Sequence, residues 1–215
     1  MKVVTLLAQK GGAGKTTLAL HWAVEAERNP AGLVRKKQLR VALIDIDPQG
    51  SSASWYRKRE AETPILVQTD AVGLVTALEA ARADDFDLVL IDTAPHAEAP
   101  AVAAARVADL IVIPTRPSVL DLEAIGASVA IIQAVRKPAA IVLNACPPRS
   151  TVTEEARSAL HAYGVPICPT PIFQRLAMSQ AFNDGRAVVE IEPKGKAAGE
   201  ISATWEWLAE RMKGG

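Results

Sequence analysis

The sequence has no excess of charge of either sign and no long apolar run. Its 215 residues contain 24 basic and 24 acidic side chains. No overall field therefore attracts nucleic acid or an anionic membrane, and any such binding has to come from a local patch. No apolar run approaches the roughly 18–20 residues that span a bilayer. Because the N-terminus enters a strand-like segment at once, we expect no signal peptide.

Cysteine is also scarce, and the chain has no internal repeat and no low-complexity linker. Its two cysteines, Cys146 and Cys168, lie far apart without metal-ligand spacing. We therefore expect each to be a small core residue rather than a ligand or a disulfide partner. This pattern fits a reducing cytoplasm. The length fits one domain over residues 1–215, which would bury roughly 70% of its unfolded surface.

The segment 10–17, K-G-G-A-G-K-T-T, is the most informative part of the chain. An apolar, β-branched run precedes it at 3–8 and a helical pattern follows it, so the context is strand, glycine loop and helix. The glycines let the backbone approach a polyphosphate with N–H groups pointing inward, and the helix adds its free N–H groups and positive dipole end. Lys15 can then reach the β- and γ-phosphates, and the Thr16 hydroxyl can ligate Mg²⁺.

Apolar, strand-like runs alternate with helical patterns along the whole chain. Strands that are apolar throughout indicate an α/β fold, in which a mostly parallel sheet is covered by helices on both faces. The predicted strands cover 2–8, 39–45, 64–68, 86–92, 109–114 and 139–144, with a short one at 165–169. The predicted helices cover 15–28, 51–61, 72–83, 98–106, 118–135, 151–162, 174–184 and 197–212. Ser118 is the predicted N-cap of the helix at 118–135, with Asp121 three residues on.

Carboxylates follow two of the predicted strands. Asp45 and Asp47 end the strand at 39–45, and Asp92 ends the strand at 86–92. Open α/β sheets bind ligands at this edge, and strand alternation places Asp45 and Asp47 on the same side. Acids beside a triphosphate repel it unless Mg²⁺ or a water lies between them. The pattern therefore indicates a site for a magnesium–nucleotide complex.

These motifs resemble the ParA/MinD family of ATPases. The usual phosphate loop has a glycine five residues before Gly14, where this chain has Gln9, and a second lysine follows instead. That arrangement is similar to the family's deviant Walker A box, D-I-D-P-Q at 45–49 is similar to its switch I motif, and L-V-L-I-D at 88–92 is similar to its Walker B motif. The resemblance covers essentially the whole chain and is nearest to short ParA-type partition ATPases. It implies a single-domain P-loop NTPase fold with a twisted sheet.

The resemblance implies that two lysines and an acid carry out catalysis. Lys10 would reach across a dimer to the partner's nucleotide, Lys15 would bind the nucleotide of its own chain, and Asp47 would orient the attacking water. The implied metal set, which holds Mg²⁺ directly or through its water shell, comprises Thr16, Asp45 and Asp92.

The resemblance also implies which residues hold the nucleotide. Asn144 ends a predicted strand, and its amide offers one donor side and one acceptor side to the adenine edge. Thr93, Ala94 and Pro95 would form a second switch that senses the γ-phosphate. The implied nucleotide set comprises Gly11, Gly12, Ala13, Gly14, Lys15, Thr16, Thr17 and Asn144.

Several basic residues are candidates for DNA contact or for a dimer face. The C-terminal run resembles the part of ParA-type chains that touches DNA without sequence preference, and its candidates, each of which could equally be ordinary surface, are Arg175, Arg186, Lys194 and Lys196. The basic segment 28–40 is either a solvated loop or a contact to DNA phosphates. Arg116 lies in a segment that often borders the dimer contact in this family, and its alternative is a surface charge. The final helix has Trp205, Leu208, Ala209 and Met212 at helical spacing, which favours core packing over membrane anchoring.

The function implied is that of a slow, Mg²⁺-dependent ATP hydrolase that acts as a switch. ATP would pair two chains into a homodimer, the pair would bind DNA non-specifically, and a ParB-type adaptor would trigger hydrolysis. The cargo would be a plasmid, a chromosome or a large protein assembly, in the cytoplasm and on the nucleoid when ATP is bound, with no membrane partner. The alternatives are a metabolic enzyme on the same scaffold (dethiobiotin-synthetase-like or cobyrinate-amidase-like) and a MinD-like spatial regulator. A non-hydrolysing adaptor would have lost Asp47 or Lys10, and both are present. Cysteine placement argues against a nitrogenase-reductase-like electron carrier.

Overall fold

A six-stranded parallel sheet forms the centre of the computed structural model, which describes residues 1–33 and 38–213. Its strands are β1 Lys2–Leu6, β2 Val41–Asp45, β3 Ile65–Gln68, β4 Leu88–Asp92, β5 Leu110–Thr115 and β6 Ala139–Leu143. The α-helices of the described residues are α1 Lys15–Arg28, α2 Ser51–Tyr56, α3 Leu74–Ala83, α4 Glu98–Val107, α5 Val119–Val135, α6 Val152–Leu160, α7 Leu176–Asn183, α8 Val188–Ile191 and α9 Lys196–Lys213. A 3₁₀ turn at His161–Tyr163 follows α6.

The strand order is β3-β2-β4-β1-β5-β6, and every pairing is parallel. Alternate residues of β4 face opposite sides: Leu88 and Leu90 belong to the cluster that includes α1 and α9, whereas Val89 and Ile91 belong to a cluster with α3. Helices thus cover both faces, which confirms the predicted α/β architecture. The order also brings β1, β2 and β4 together, so that the loops following them meet at one edge of the sheet.

Two local predictions about packing are confirmed. The Ser118 side chain accepts a hydrogen bond from the Asp121 backbone N–H at 3.3 Å, which caps α5. Cys146 and Cys168 are both buried and free of disulfides.

The apolar face of α9 packs in the core, as predicted for the final helix: Trp205, Leu208, Ala209 and Met212 are all at most 2% exposed. Trp205 also donates its indole N–H to the Asn29 carbonyl at 2.7 Å. Among the described residues, no helix combines the length and the apolar character that crossing a bilayer requires.

The structure differs from the predicted elements at three places. The segment 165–169 is no strand and makes only a single bridge, between Ile141 and Ile167, because its two prolines cannot donate to a ladder. The predicted helix 51–61 ends at Tyr56, since the chain turns there to bring Arg59 against Glu190 at 3.0 Å. The four-residue helix α8 was not predicted, because it is too short to show a helical period. The basic segment 28–40 includes residues 34–37, which lie outside the described residues.

Glu27 is a buried acid near the end of α1. Its side chain is 7% exposed and accepts a hydrogen bond from the Thr63 hydroxyl at 3.0 Å. Burial raises its pKa to about 7, against the opposing effects of the Thr63 hydrogen bond and the Arg59 charge. The folded chain therefore keeps a proton on Glu27 where the unfolded chain has lost it, so this group destabilises the fold as the pH rises from 4.5 through 7.

We expect Glu27→Gln to stabilise the protein at pH 8 by about 1–2 kcal/mol and to change little at pH 5. The amide carries no charge at either pH, and its oxygen still accepts the Thr63 hydrogen bond. Urea unfolding at both pH values measures the difference. The exposed Glu79→Gln on α3 serves as a control, and an equal gain of the Glu27 variant at both pH values would contradict the reasoning.

Candidate functional site

A pocket of about 630 Å³ opens at the edge of the sheet where the strands end. The phosphate-loop segment forms its floor, and the loops after β2, β4, β5 and β6 form its sides. The chain between β6 and α7, together with α7 itself, closes it as a further wall. The lining residues are Gly12, Gly14, Lys15, Thr16, Thr17, Asp47, Gln49, Ser51, Pro95, Arg116, Asn144, Ala145, Ile172, Phe173, Gln174, Arg175, Met178, Ser179, Phe182 and Asn183.

The glycine loop runs from β1 into α1 as the sequence predicts. Gly12 and Gly14 have φ of +75° and +100°, a region in which only glycine is unstrained. A Cβ at Gly14 would also lie 2.0 Å from Nδ2 of Asn144, while that nitrogen donates to the Ala13 carbonyl at 2.8 Å. Asn144 therefore holds the loop in place, and Gly14 is required both by its backbone conformation and by this contact.

Lys15 is a buried cation at the start of α1. It is 6% exposed, and its Nζ donates to the Ala8 carbonyl at 3.0 Å. Burial lowers its pKa, and the nearby charges of Asp92 and Asp47 oppose that effect. The ammonium group is thus already inside the loop, next to the place where phosphate oxygens would lie.

The strand register brings the two strand-end acids together. Asp45 and Asp92 are paired residues of neighbouring strands, and they are 2% and 0% exposed. Burial raises both pKa values, that of Asp92 to about 7, and a hydrogen bond from the Thr16 side chain opposes the shift of Asp92. The Asp47 backbone N–H donates to Oδ1 of Asp45 at 2.9 Å, which positions Asp47 just beyond the strand.

These acids fit a Mg²⁺ ion held largely through water. Oδ2 of Asp45 and Oδ1 of Asp92 are buried, and neither has a hydrogen-bond partner among the described residues. No group of three or more acidic, histidine or cysteine side chains in the described chain could form a metal cage. Mg²⁺ suits such a site, because it keeps several waters and is bound by one or two carboxylates together with substrate phosphates. Thr16 would add its hydroxyl.

The loop after β4 lies beside the phosphate loop, as expected for a second switch. The Thr93 hydroxyl donates to the Leu6 carbonyl at 2.8 Å, and the His96 backbone N–H donates to the Gln9 carbonyl at 3.0 Å. Pro95 lies against Gly11, with its Cβ 3.9 Å from the place of a glycine Cβ. The segment therefore lies in direct contact with the phosphate loop, and its role as a second switch stays a prediction.

The comparisons with known proteins agree with this geometry. The family profile described as "CobQ/CobB/MinD/ParA nucleotide binding domain" matches residues 4–188. The chain belongs to this family. It is 31% identical over 201 residues to maintenance of carboxysome distribution protein A of Halothiobacillus neapolitanus, with 89% of this chain and 88% of the relative covered. It is 26% identical over 232 residues to the chromosome-partitioning ATPase Soj of Thermus thermophilus, with 91% and 90% covered.

Solved structures of ParA/MinD-type proteins share the fold. Apo McdA of Cyanothece superposes with a TM-score of 0.78 at 19% identity, covering 97% of this chain and 99% of that chain. The MinD protein of Pyrococcus horikoshii in complex with Mg-ADP gives 0.76 at 17% identity, covering 96% and 95%. Family membership and the site together confirm the predicted ATPase, with ATP and Mg²⁺ as its cofactors.

The two lysines of the ParA/MinD box are placed differently. Lys15 lines the pocket, whereas Lys10 does not. The Lys10 side chain is 32% exposed, and its Nζ pairs with Oδ2 of Asp121 at 3.0 Å. Lys10 thus stands at the rim of the site, bound to the first turn of α5, and its action on a second nucleotide stays a prediction.

The predicted base contact of Asn144 also stays a prediction. The residue lines the pocket and is 7% exposed. Its amide nitrogen uses one N–H group on the Ala13 carbonyl, so the second N–H group and the amide oxygen are left for a ligand. That oxygen can accept from the amino group of adenine.

The structure separates the four basic candidates for DNA contact. Arg175 lies in the pocket wall, and its Nε donates to Oε1 of Glu200 at 3.0 Å. The Arg186 guanidinium donates to the Glu190 carbonyl at 3.0 Å. The side chains of Lys194 and Lys196 are exposed. Arg186 is exposed as well, whereas Arg175 is half-buried. A DNA role for any of them stays a prediction.

Sequence reasoning missed part of the pocket. The wall at 172–183 brings Phe173, Met178 and Phe182 to the mouth of the site, and Ser52 donates to Oδ2 of Asp92 at 3.4 Å. The wall carries no phosphate-binding pattern, so nothing in its residue types pointed to the nucleotide. Ser52 was within reach of sequence reasoning, because it directly follows the D-I-D-P-Q motif.

We expect Lys15→Ala to weaken binding of Mg²⁺ and a non-hydrolysable ATP analogue by about 100-fold or more, since the phosphates lose their buried cation and its hydrogen bonds. Titration calorimetry measures the affinity, and circular dichroism checks that the variant is folded. Lys137→Ala, just before β6 at the opposite edge of the sheet, is the matched control. Retained tight binding in the Lys15 variant would show that the phosphates lie elsewhere.

Proposed function

We propose that this ATPase works as an ATP-dependent homodimer that binds DNA without sequence preference and positions a cargo on it. A ParB-type adaptor on the cargo would stimulate hydrolysis and so release the dimer. The proposal is supported above all by the position of Lys10. It belongs to the ParA/MinD box, yet it stands outside the pocket that its own chain forms.

The surface around Lys10 suits a second copy of the chain. Asp121, its partner, lies in the first turn of α5, next to Val119 and Leu120, which are 72% and 68% exposed. Leu176, at the start of α7, is also 72% exposed. Exposed large apolar side chains favour burial against another protein surface. Two chains facing each other here would bring each Lys10 towards the other's nucleotide.

The proposed reaction uses each polar group in a defined role. Lys15 and the loop N–H groups hold the phosphates, and Asp47 accepts a hydrogen bond from the attacking water. The water oxygen forms a bond to the γ-phosphorus as the bond to the ADP oxygen breaks. When bound, Mg²⁺ neutralises phosphate charge beside Thr16 and the two buried acids. A cation supplied in trans increases the rate by roughly 10³–10⁵ in related phosphoryl-transfer enzymes, so an unpaired chain should hydrolyse slowly.

The names of the relatives indicate the kinds of cargo to expect. Relatives of this chain are named for carboxysome distribution, for chromosome partitioning and as ParA. The cargo would therefore be a plasmid, a chromosome or a large protein assembly. The inward-facing apolar side of α9 makes a MinD-like membrane regulator a weaker alternative, because no free apolar face remains on that helix for a lipid surface.

We expect Lys10→Ala to bind Mg²⁺ and the non-hydrolysable ATP analogue nearly as well as the unmodified chain but to remain a monomer. Binding should persist because Lys10 lies outside its own pocket. Pairing should fail because Lys10 no longer reaches the partner's nucleotide. Size-exclusion chromatography with light scattering gives the mass with and without the analogue, and Lys137→Ala is the control. A Lys10→Ala variant that dimerises normally and hydrolyses ATP at the normal rate would contradict the role in trans.

We expect random-sequence duplex DNA to bind in the presence of the ATP analogue and not with ADP, with an affinity that falls steeply as salt rises. Fluorescence anisotropy measures this. The double variant Lys194→Ala, Lys196→Ala should bind more weakly than the double variant Arg82→Ala, Arg106→Ala, which removes the same number of exposed charges elsewhere. DNA binding that is independent of nucleotide, or absent altogether, would favour a metabolic enzyme on this scaffold.

A further inference from the structure

Three basic side chains surround the phosphate loop, and two of them already have partners. Lys10 pairs with Asp121, and Lys15 donates to the Ala8 carbonyl. The third, Arg116, is exposed and forms no hydrogen bond or ion pair with residues 1–33 or 38–213. Its guanidinium thus carries five N–H donors that the described protein does not use.

The backbone holds Arg116 in a defined place. It directly follows β5 and precedes Pro117, which is buried, and Ser118, which caps α5. Its side chain reaches over the crest of the loop: Nη2 lies 3.4 Å, and the guanidinium carbon 3.8 Å, from the point where a Cβ on Gly12 would be. Because Gly12 has no side chain, the guanidinium can lie this close to the loop backbone. Arg116 also lines the pocket.

The phosphate loop beneath Arg116 is itself a source of positive charge. The loop N–H groups, the N-terminus of α1 and the ammonium of Lys15 all present positive charge to the pocket. None of these groups attracts a guanidinium. A phosphate chain in the loop reverses the sign of the field, and a guanidinium can then donate two hydrogen bonds to phosphate oxygens.

We propose that Arg116 is a nucleotide-contacting residue, whose guanidinium binds the phosphates of the nucleotide held in the loop of the same chain. Arg116 acts in cis as a second cation, whereas Lys10 points away from its own pocket. This inference needs only a nucleotide in the pocket and holds whether or not the chain positions a cargo or binds DNA.

The test compares Arg116→Ala and Arg116→Lys with Arg106→Ala, an exposed arginine in the last turn of α4. Binding of Mg²⁺ and the non-hydrolysable ATP analogue is measured at concentrations where light scattering gives the mass of one chain. We expect Arg116→Ala to lose about tenfold or more in affinity, the scale of a charged hydrogen bond. Arg116→Lys should lose less, because it keeps the charge, and Arg106→Ala should be unchanged.

Two further measurements separate a phosphate contact from a structural effect. Without ligand, Arg116→Ala should melt at the same temperature as the unmodified chain, and the rise in melting temperature caused by the ATP analogue should shrink. Inorganic tripolyphosphate, which has no base, should bind Arg116→Ala more weakly by a similar factor. Unchanged affinity of the monomeric chain would overturn the proposal, and so would a variant that loses only dimerisation, since that result places Arg116 against the partner. Failure of DNA binding or of cargo positioning would leave this result unaffected.

Discussion

The site depends on the burial of one ammonium group beside two carboxylates at the end of a parallel sheet. Desolvation lowers the pKa of Lys15 and raises those of Asp45 and Asp92, and the lysine charge partly offsets the cost for Asp92. Both acids keep an oxygen without a partner among the described residues. A magnesium–nucleotide complex supplies what each side lacks, negative charge for the lysine and positive charge for the acids. The charges of the site therefore suit a ligand that carries both signs.

The same geometry places the two lysines of the box differently. Lys15 is fixed inside the loop by the first turn of α1, and Lys10 is held outside it by Asp121. In the proposed function, a cation held outside its own pocket would serve a second nucleotide when another chain approaches. Slow hydrolysis by the single chain and faster hydrolysis by the pair would then follow from the distance between the two ammonium groups.

The elements that could be predicted from the sequence are those whose cause is local. The glycine loop was predictable because only glycine tolerates the φ of Gly12 and Gly14, and the start of α5 because Ser118 caps it. The prediction of a strand at 165–169 was wrong. It followed the apolar residues of the segment, although the two prolines there cannot donate hydrogen bonds to a neighbouring strand. The end of α2 was missed because Arg59 is drawn to Glu190, a residue 131 positions away along the chain. No pattern within one segment contains such a contact.

By itself, the sequence determined the α/β class, the phosphate loop and the acids that follow β2 and β4, because each depends on residue type and spacing within a short stretch. Only the tertiary structure decided how these parts meet. The register of β2 with β4 set Asp45 beside Asp92, and the end of β6 placed Asn144 against Gly14. The same packing took Arg175 into the pocket wall and brought Arg116 over Gly12. Distances between segments that are far apart in sequence arise from the folding of the whole chain. Composition and local periodicity therefore do not predict them.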